Sequence, residues 1–123
     1  MLEKITVQVF GTKKSQATKK ALRFFKERAI KAHFVDLSVR KPSRGELIRF
    51  AQKYGVEALI DEGSKPYRES GLEVMRLRDD DLLDLLVDKP GLLIQPLIRS
   101  GRDIAIGWQE TFWRTWFDQV RAS

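Results

Sequence analysis

Cysteine is absent from this chain of 123 residues, and histidine occurs only once, at His33. Without a thiol, the chain cannot form a disulfide, a thiolate nucleophile or a cysteine-based zinc site. A single histidine also leaves few members for a catalytic triad or a histidine-rich metal site. We therefore expect no cysteine redox chemistry, no metal site and no cofactor.

Long hydrophobic runs are also absent, since no stretch approaches the roughly 18 apolar residues of a membrane span. The N-terminal sequence MLEKITVQVF lacks the basic segment and apolar run of a signal peptide. We therefore expect a cytoplasmic protein that does not associate with membranes. With 42% hydrophobic and 33% charged residues, the composition is that of a globular protein, and the length suits one domain.

The charge is unbalanced toward the basic side, with a formal net charge of +6 at pH 7. Such an excess is compatible with nucleic acid, an acidic protein partner or an anionic ligand, and equally with solubility alone. Acidic residues are interspersed along almost the whole chain, and no concentrated basic helix carries base-reading residues. Direct nucleic-acid binding is therefore disfavoured.

The N-terminal part of the chain predicts a strand, a helix and a second strand. The segment KITVQV at 4–9 alternates and is rich in β-branched residues, and KAHFVDL at 31–37 reads in the same way. Between them, apolar residues recur at helical spacing over about 16–28, with Ser15 in the N-cap position. Such a β-α-β unit pairs its strands in parallel through a right-handed crossover.

The rest of the chain predicts several helices and then a hairpin. A helix begins at Ser43 and ends at Gly55. The elements that follow are short helices around 56–60, 64–70 and 79–88, two strands around Ser100-Gly101, and a final helix at about 108–121. The order predicts an α/β protein with a mixed sheet of roughly four strands, the first and third adjacent. We treat residues 1–123 as one domain with a helical insertion at about 43–89.

Three conspicuous groups of residues receive a structural interpretation. The final helix carries Phe112, Trp113, Trp116 and Phe117 on one face. We expect these aromatic residues to pack in the core rather than to form an exposed docking stripe. The consecutive carboxylates Asp79–Asp81 point to different sides of a helix, so they favour helix capping over metal binding. His33 lies in a predicted strand, where a structural role is expected.

Several segments of the chain resemble the arsenate reductase family, which also contains the Spx regulators. These segments are VQVFGTKKSQATKKA, FVDL, the helix ending in YG, ALIDEGSKPYRESGL, DKPGLLIQPLI and IAIGW. Their order and spacing extend over nearly the whole chain. The resemblance implies a thioredoxin-like fold whose chemistry sits between the first strand and the first helix.

Members of that family have a cysteine in this loop, and many have a second cysteine three residues later. The resemblance places Ser15 at the first position and Thr18 at the second. A helix N-terminus lowers the pKa of a thiol, so a thiolate forms near neutral pH. A serine hydroxyl would need an adjacent base to become a nucleophile. The resemblance therefore implies a site that has lost its nucleophile.

Arginines that hold the oxyanion in the arsenate reductases are also missing from this sequence. Their places are taken by Asp61, by Gln95 before Pro96, and by Ile106-Gly107 near the end of the hairpin. Loss of the thiol together with these arginines predicts no arsenate reductase activity. The resemblance further implies that the Gln95–Pro96 bond is cis and that Pro96 faces Ser15.

The loop before the first helix leaves two interpretations open. In the first, Lys13, Lys14, Ser15 and Lys19 bind an anion through their charge and the N–H groups of the helix start. In the second, Ser15 is an ordinary N-cap among solvated lysines, and we favour this second interpretation.

We expect a non-catalytic binding or regulatory protein. The resemblance to the Spx regulators implies a protein partner, namely the C-terminal domain of the RNA polymerase α subunit. Gly55, at the end of the second helix, matches the position that this branch uses for binding. The alternative is an arsenate-reductase-like oxidoreductase with altered chemistry, either cysteine-independent or drawing a thiol from glutathione. No residue of the sequence supplies a catalytic group for that alternative.

Overall fold

The computed structural model describes residues 5–122, which form a four-stranded sheet and its helices. The elements are β1 (Thr6–Gly11), α1 (Gln16–Glu27), β2 (Lys31–Asp36), α2 (Arg44–Tyr54), α3 (Lys65–Ser70), α4 (Asp79–Asp88), β3 (Leu97–Ser100), β4 (Asp103–Ile106) and α5 (Glu110–Ala122). Short 3-10 turns occur at Glu57–Leu59, Leu72–Val74 and Pro90–Leu92. The strand order is β2-β1-β3-β4, with β1 parallel to β2 and β3 antiparallel to both its neighbours. The predicted mixed sheet, with the first and third strands adjacent, is confirmed.

The chain divides into two compact units. The sheet unit contains the residues up to Asp36 and those from Gln95 onward, and so holds the strands with α1 and α5. The helical unit is Leu37–Ile94 and holds α2, α3 and α4. Within residues 5–122, no helix combines the length and the apolar character needed to cross a bilayer. The single domain with an insertion at about 43–89 stays a prediction.

One face of the sheet packs against α1 and α5. The ring of Phe25 in α1 meets Trp113 and Trp116 of α5 edge-on, with ring centroids 5.5 and 6.0 Å apart. The buried residues of this core are Val7, Val9, Ala21, Phe24, Phe25, Ile30, Ile98, Ala105, Trp113 and Trp116. Phe112 and Phe117 are partly buried and pack against it. The predicted core role of the aromatic residues in α5 is confirmed.

The other sheet face carries the alternate residues of the strands. Phe10 and Leu97 are buried on this face, near the end of β1 that leads into α1. His33 pairs in register with Gln8 and is exposed, so it lies in a strand as predicted. Its position is about 10 Å along β1 from Gly11, given the rise of a strand.

In the helical unit, α2 begins with a capping box. The Ser43 hydroxyl accepts a hydrogen bond from the Glu46 N–H, and the Glu46 carboxylate accepts one from the Ser43 N–H. Partial burial alone would raise the pKa of Glu46. Hydrogen bonds from Arg40 and Ser43 and the charge of Arg40 outweigh that effect and lower the pKa below its ordinary value of 4.5. The helix then ends at Gly55, where φ is +86°, as the sequence predicts.

The three aspartates at the start of α4 do not cap the helix through side-chain hydrogen bonds. Asp79, Asp80 and Asp81 fill the first turn of α4, but the N-cap is Arg78, which makes no side-chain capping bond. The three carboxylates therefore favour the helix through its dipole rather than by capping it. Asp80 also forms an ion pair with Arg44 of α2, with Nη2 and Oδ1 2.7 Å apart.

Several element boundaries differ from the predicted ones, and those of β1 and the last helix differ most. β1 continues to Gly11 because Phe10 and Gly11 pair with the end of β2, a long-range contact that local patterning does not show. The first residue of the predicted strand 4–9, Lys4, lies outside the described residues. The last helix begins at Glu110 rather than near 108, since Gly107 has a φ of +69° and the Trp108 ring packs on Phe24.

Candidate functional site

The loop between β1 and α1 is closely packed where it leaves the strand. A Cβ on Gly11 would lie 2.4 Å from the Thr18 hydroxyl oxygen and 2.8 Å from its methyl carbon, so only glycine fits at this position. Thr18 itself is completely buried. The second position implied by the family resemblance is therefore a packed interior residue rather than an accessible one.

Ser15 acts as the N-cap of α1. Its hydroxyl oxygen accepts a hydrogen bond from the Thr18 N–H at 3.1 Å, and its own N–H donates to the Thr12 carbonyl at 3.2 Å. The favoured N-cap interpretation is therefore confirmed in its geometry. Anion binding by Lys13, Lys14, Ser15 and Lys19 stays a prediction. The three lysine side chains are exposed.

Gln95, just before β3, holds the loop in place through its side chain. Its side-chain oxygen accepts hydrogen bonds from the Thr12 N–H at 2.7 Å and from the Thr12 hydroxyl at 3.0 Å. A longer contact of 3.5 Å joins the same oxygen to the Thr18 hydroxyl. The carboxamide oxygen of Gln95 thus satisfies both donors of Thr12, at the start of the loop.

The peptide bond between Gln95 and Pro96 is cis, so that prediction is confirmed. The Pro96 carbonyl accepts a hydrogen bond from the Gly107 N–H at 2.8 Å. Gly107, which stands near a position where the enzymes have an arginine, thus joins the end of the hairpin to this segment through its backbone.

Asp61, at a place where the resemblance implies an arginine, belongs to the helical unit. Its N–H donates to the Leu92 carbonyl at 2.9 Å, and its side chain accepts from the Gly63 N–H at 3.1 Å. These bonds shape the turn that leads to Ser64, the N-cap of α3. Asp61 therefore has a structural role in its own unit.

Gly55 ends α2 with a conformation that an L side chain rarely adopts. Its N–H donates to the Ala51 carbonyl at 2.7 Å, and a Cβ built on it would meet no atom within 4 Å. The residue is exposed. Its role as a helix stop is confirmed, and its role in partner binding stays a prediction.

The chemistry available to the loop is limited by its composition. Ser15 has its hydroxyl committed to the helix cap, and a hydroxyl needs a nearby base before it can attack. His33 pairs with Gln8, about 10 Å along the strand from Gly11. Within residues 5–122, no group of three or more His, Asp or Glu side chains is arranged to hold a metal ion. The Ser15 hydroxyl is thus placed as a helix cap, with no histidine beside it.

Sequence reasoning treated Gln95 only as the loss of an arginine. A glutamine also brings an acceptor oxygen, which arginine lacks, so it can satisfy the donors that surround an anion. That difference in hydrogen-bonding capacity is the signal that could have identified Gln95 as the residue closing the loop.

Known proteins similar to this chain include arsenate reductases and Spx regulators. The arsenate reductase of Acidiphilium multivorum is 37% identical over 59 residues, which cover 46% of this chain and 42% of that protein. The global transcriptional regulator Spx of Streptococcus pyogenes serotype M1 is 32% identical over 82 residues, covering 65% of this chain and 56% of the regulator. The chain thus spans about half the length of the curated relatives it matches.

Solved structures and a family model give the wider relationship. The structure of an arsenate reductase from Vibrio cholerae aligns with a TM-score of 0.74 at 22% identity, covering 83% of this chain and 89% of that one. This similarity shows the shared thioredoxin-like fold. The model of the ArsC family matches residues 10–116. The chain therefore belongs to the ArsC family, as the motifs indicate, and is a member without cysteine.

Proposed function

We propose that this chain is a non-catalytic member of the ArsC family that acts as a binding or regulatory module. The observation that carries the proposal is the closed loop between β1 and α1. Ser15 caps the helix where the resemblance places a nucleophile, and Gln95, where the resemblance places an arginine, accepts hydrogen bonds from Thr12 of the same loop. A site that satisfies its own donors gains stability and loses the capacity to bind a substrate.

The partner we propose is the C-terminal domain of the RNA polymerase α subunit. A relative that covers 65% of this chain carries the name of a global transcriptional regulator, and the exposed Gly55 occupies the position that the Spx branch uses for binding. The net charge of +6 favours approach of a partner with a net negative charge. The proposal places the chain in the cytoplasm, the compartment in which that partner works.

Calorimetric titration with the purified α C-terminal domain tests the partner. We expect binding that the Gly55→Arg variant weakens about tenfold or more, because the new side chain would stand in the contact surface. Gly101→Arg is the matched control, since Gly101 also has a positive φ and open space around its Cβ. Absence of heat at high micromolar concentration, or equal loss in both variants, would remove the polymerase subunit as the partner.

The 37% identity to an arsenate reductase favours one alternative, a reductase that draws its thiol from glutathione. NADPH oxidation coupled through glutathione and glutaredoxin, with arsenate as substrate, distinguishes the two functions. We expect background turnover for the chain itself and little recovery in the Ser15→Cys/Thr18→Cys variant. The buried position of Thr18 hides the second thiol, and each missing oxyanion donor costs about 10²–10³ in rate. Robust turnover by the unmodified chain would overturn the non-catalytic assignment.

A further inference from the structure

The helical unit carries an open groove of about 370 Å³ on its own surface. The groove lies among the short helical segments that follow α2. Its rim includes the carboxylates of Glu57, Glu62 and Glu73, and its apolar wall includes Leu72 and Met75. It therefore combines negative charge with hydrophobic surface, which is the combination that an amphipathic cationic ligand requires.

The charge of the groove is opposite to that of the chain. The whole sequence has a net charge of +6, whereas the groove is lined by three glutamates and by one arginine, Arg76. Glu57, Glu62 and Glu73 form no ion pair with any of residues 5–122. In the same unit, Glu46, Asp80 and Asp88 are all paired with Arg40, Arg44 and Lys41 respectively. The negative charge of the groove is thus left available to a partner.

Tyr67, which also lines the groove, responds to this concentration of charge. Desolvation raises the pKa of its phenol, and the charges of Glu62 and Glu73 and a hydrogen bond with Glu62 raise it further. Both carboxylates act on the same phenol, and all three residues line the groove. The phenol remains a neutral hydrogen-bonding group that a cation would meet there.

The apolar wall of the groove is unusually open to solvent. Among residues 5–122, the exposed large hydrophobic side chains are Val39, Val74 and Met75, so two of them are consecutive here. Met75 is 47% exposed and lines the groove, whereas Val74 is 82% exposed and does not. A flexible methionine can adapt to apolar side chains of different shapes.

We propose that this groove binds a short basic segment of a partner protein, with lysine or arginine side chains meeting the three glutamates and an apolar side chain against Leu72 and Met75. The apolar wall favours such a segment over a simple polyamine, which has no hydrophobic side chain to place there. Glu57 follows Gly55 by only one intervening residue, so the groove continues the surface proposed for partner binding. The inference rests on the proposed binding function, and it adds that the partner presents a basic segment at this point.

The direct test is a titration of the isotope-labelled full chain followed by NMR. The probe is a capped peptide in which leucine and arginine alternate. We expect chemical-shift changes confined to residues 57–82. We expect the Glu62→Gln/Glu73→Gln variant to bind about five- to tenfold more weakly, because two partly exposed charge pairs are lost.

Matched variants separate the groove from general surface effects. Glu69→Gln removes one exposed carboxylate of α3 that does not line the groove, and should leave the affinity unchanged. Met75→Ser should weaken binding about threefold, whereas Val74→Ser, at the neighbouring and more exposed position, should have no effect. All five altered positions, Glu62, Glu69, Glu73, Val74 and Met75, are exposed, so folding should be retained.

Three results would overturn the proposal. Equal binding of a leucine–glutamate peptide would remove the charge complementarity, and equal binding of spermidine or of a serine–arginine peptide would show a general cation site. Concentration-dependent dimerisation in sedimentation equilibrium, abolished by Glu62→Gln/Glu73→Gln, would assign the groove to a second copy of the chain. If the chain binds the peptide but does not bind the C-terminal domain of the RNA polymerase α subunit, only the polymerase partner is removed and the groove proposal stands.

Discussion

The loop between β1 and α1 and the groove of the helical unit differ in how their polar groups are satisfied. In the loop, the Ser15 hydroxyl, the Thr12 N–H and the Thr12 hydroxyl all have partners within the same unit. In the groove, Glu62 and Glu73 have no ion pair among residues 5–122 and stand beside the exposed Met75. A cluster whose polar groups are paired contributes to stability, whereas exposed carboxylates without an ion pair are available for binding.

On the proposal made above, binding takes place in the helical unit rather than in the loop. The resemblance places the chemistry in the loop, which in this chain is closed by its own residues. The groove lies in a segment built from short helices and turns, where few residues are needed for packing: α3 and the turn at Leu72–Val74 contain no buried residue. Substitutions should therefore be costly for folding in the loop and nearly neutral for folding in the groove.

Replacing Gln95 by leucine should have the largest effect on stability. The side chain would keep much of its volume but lose the oxygen that accepts from the Thr12 N–H and hydroxyl. Leaving these part-buried donors without a partner should cost about 2–3 kcal/mol in the free energy of unfolding. Urea denaturation at neutral pH measures this loss. Gln95→Glu, which retains an acceptor oxygen, is the control and should recover most of the stability.

If Gln95→Leu and Gln95→Glu unfold at the same urea concentration, the acceptor oxygen is not what holds the loop. In that case the loop would resemble the groove in having polar groups that are free to bind a ligand.

Replacing Gly11 by alanine should have the next largest effect. The added Cβ would lie 2.4 Å from the buried Thr18 hydroxyl oxygen, and relieving this overlap should cost about 1–3 kcal/mol. Gly45→Ala is the control, because the nearest atom to its Cβ is 4.0 Å away, in Ser43. Combining Gly11→Ala with Thr18→Ala should restore part of the stability. A simple sum of the two single losses would contradict the proposed contact.

Much of the fold could be predicted from the sequence because it depends on local patterns. Alternation predicted the strands, Ser15 and Gly55 marked helix ends, and the paired aromatic residues of α5 indicated a buried face. The extension of β1 to Gly11 could not be predicted, since it depends on pairing with β2. The contact of Gln95 with Thr12 joins residues 83 positions apart, which no local pattern shows. The groove was missed because its short segments have no sustained periodicity.

Acid should weaken the start of α2. The folded state lowers the pKa of Glu46 below 4.5, so its contribution to stability is present above the unfolded pKa and is lost as the pH falls through the folded value. The urea midpoint should therefore decrease mainly as the pH falls from about 5 to about 3, and it should decrease less in Glu46→Gln. Asp88, whose pKa is lowered by hydrogen bonding to Lys41 and by its charge, adds to the decrease in both proteins. An identical pH dependence in both would show that the capping box does not depend on the ionised carboxylate.

Replacing Glu73 by glutamine should have the smallest effect, and its sign is informative. Glu73 shares the groove with Glu57 and Glu62, and none of the three forms an ion pair within residues 5–122. Removing one charge relieves repulsion among them, so the free energy of unfolding should stay the same or rise by no more than about 0.5 kcal/mol. Urea denaturation at low and high salt measures this, and salt should reduce the difference because it screens exposed charges. Glu69→Gln, outside the groove, should show no such salt dependence.

A loss above about 1 kcal/mol in Glu73→Gln would show that the carboxylate holds the helical unit together. The groove would then be a structural cluster like the loop, and the contrast between the two regions would fail.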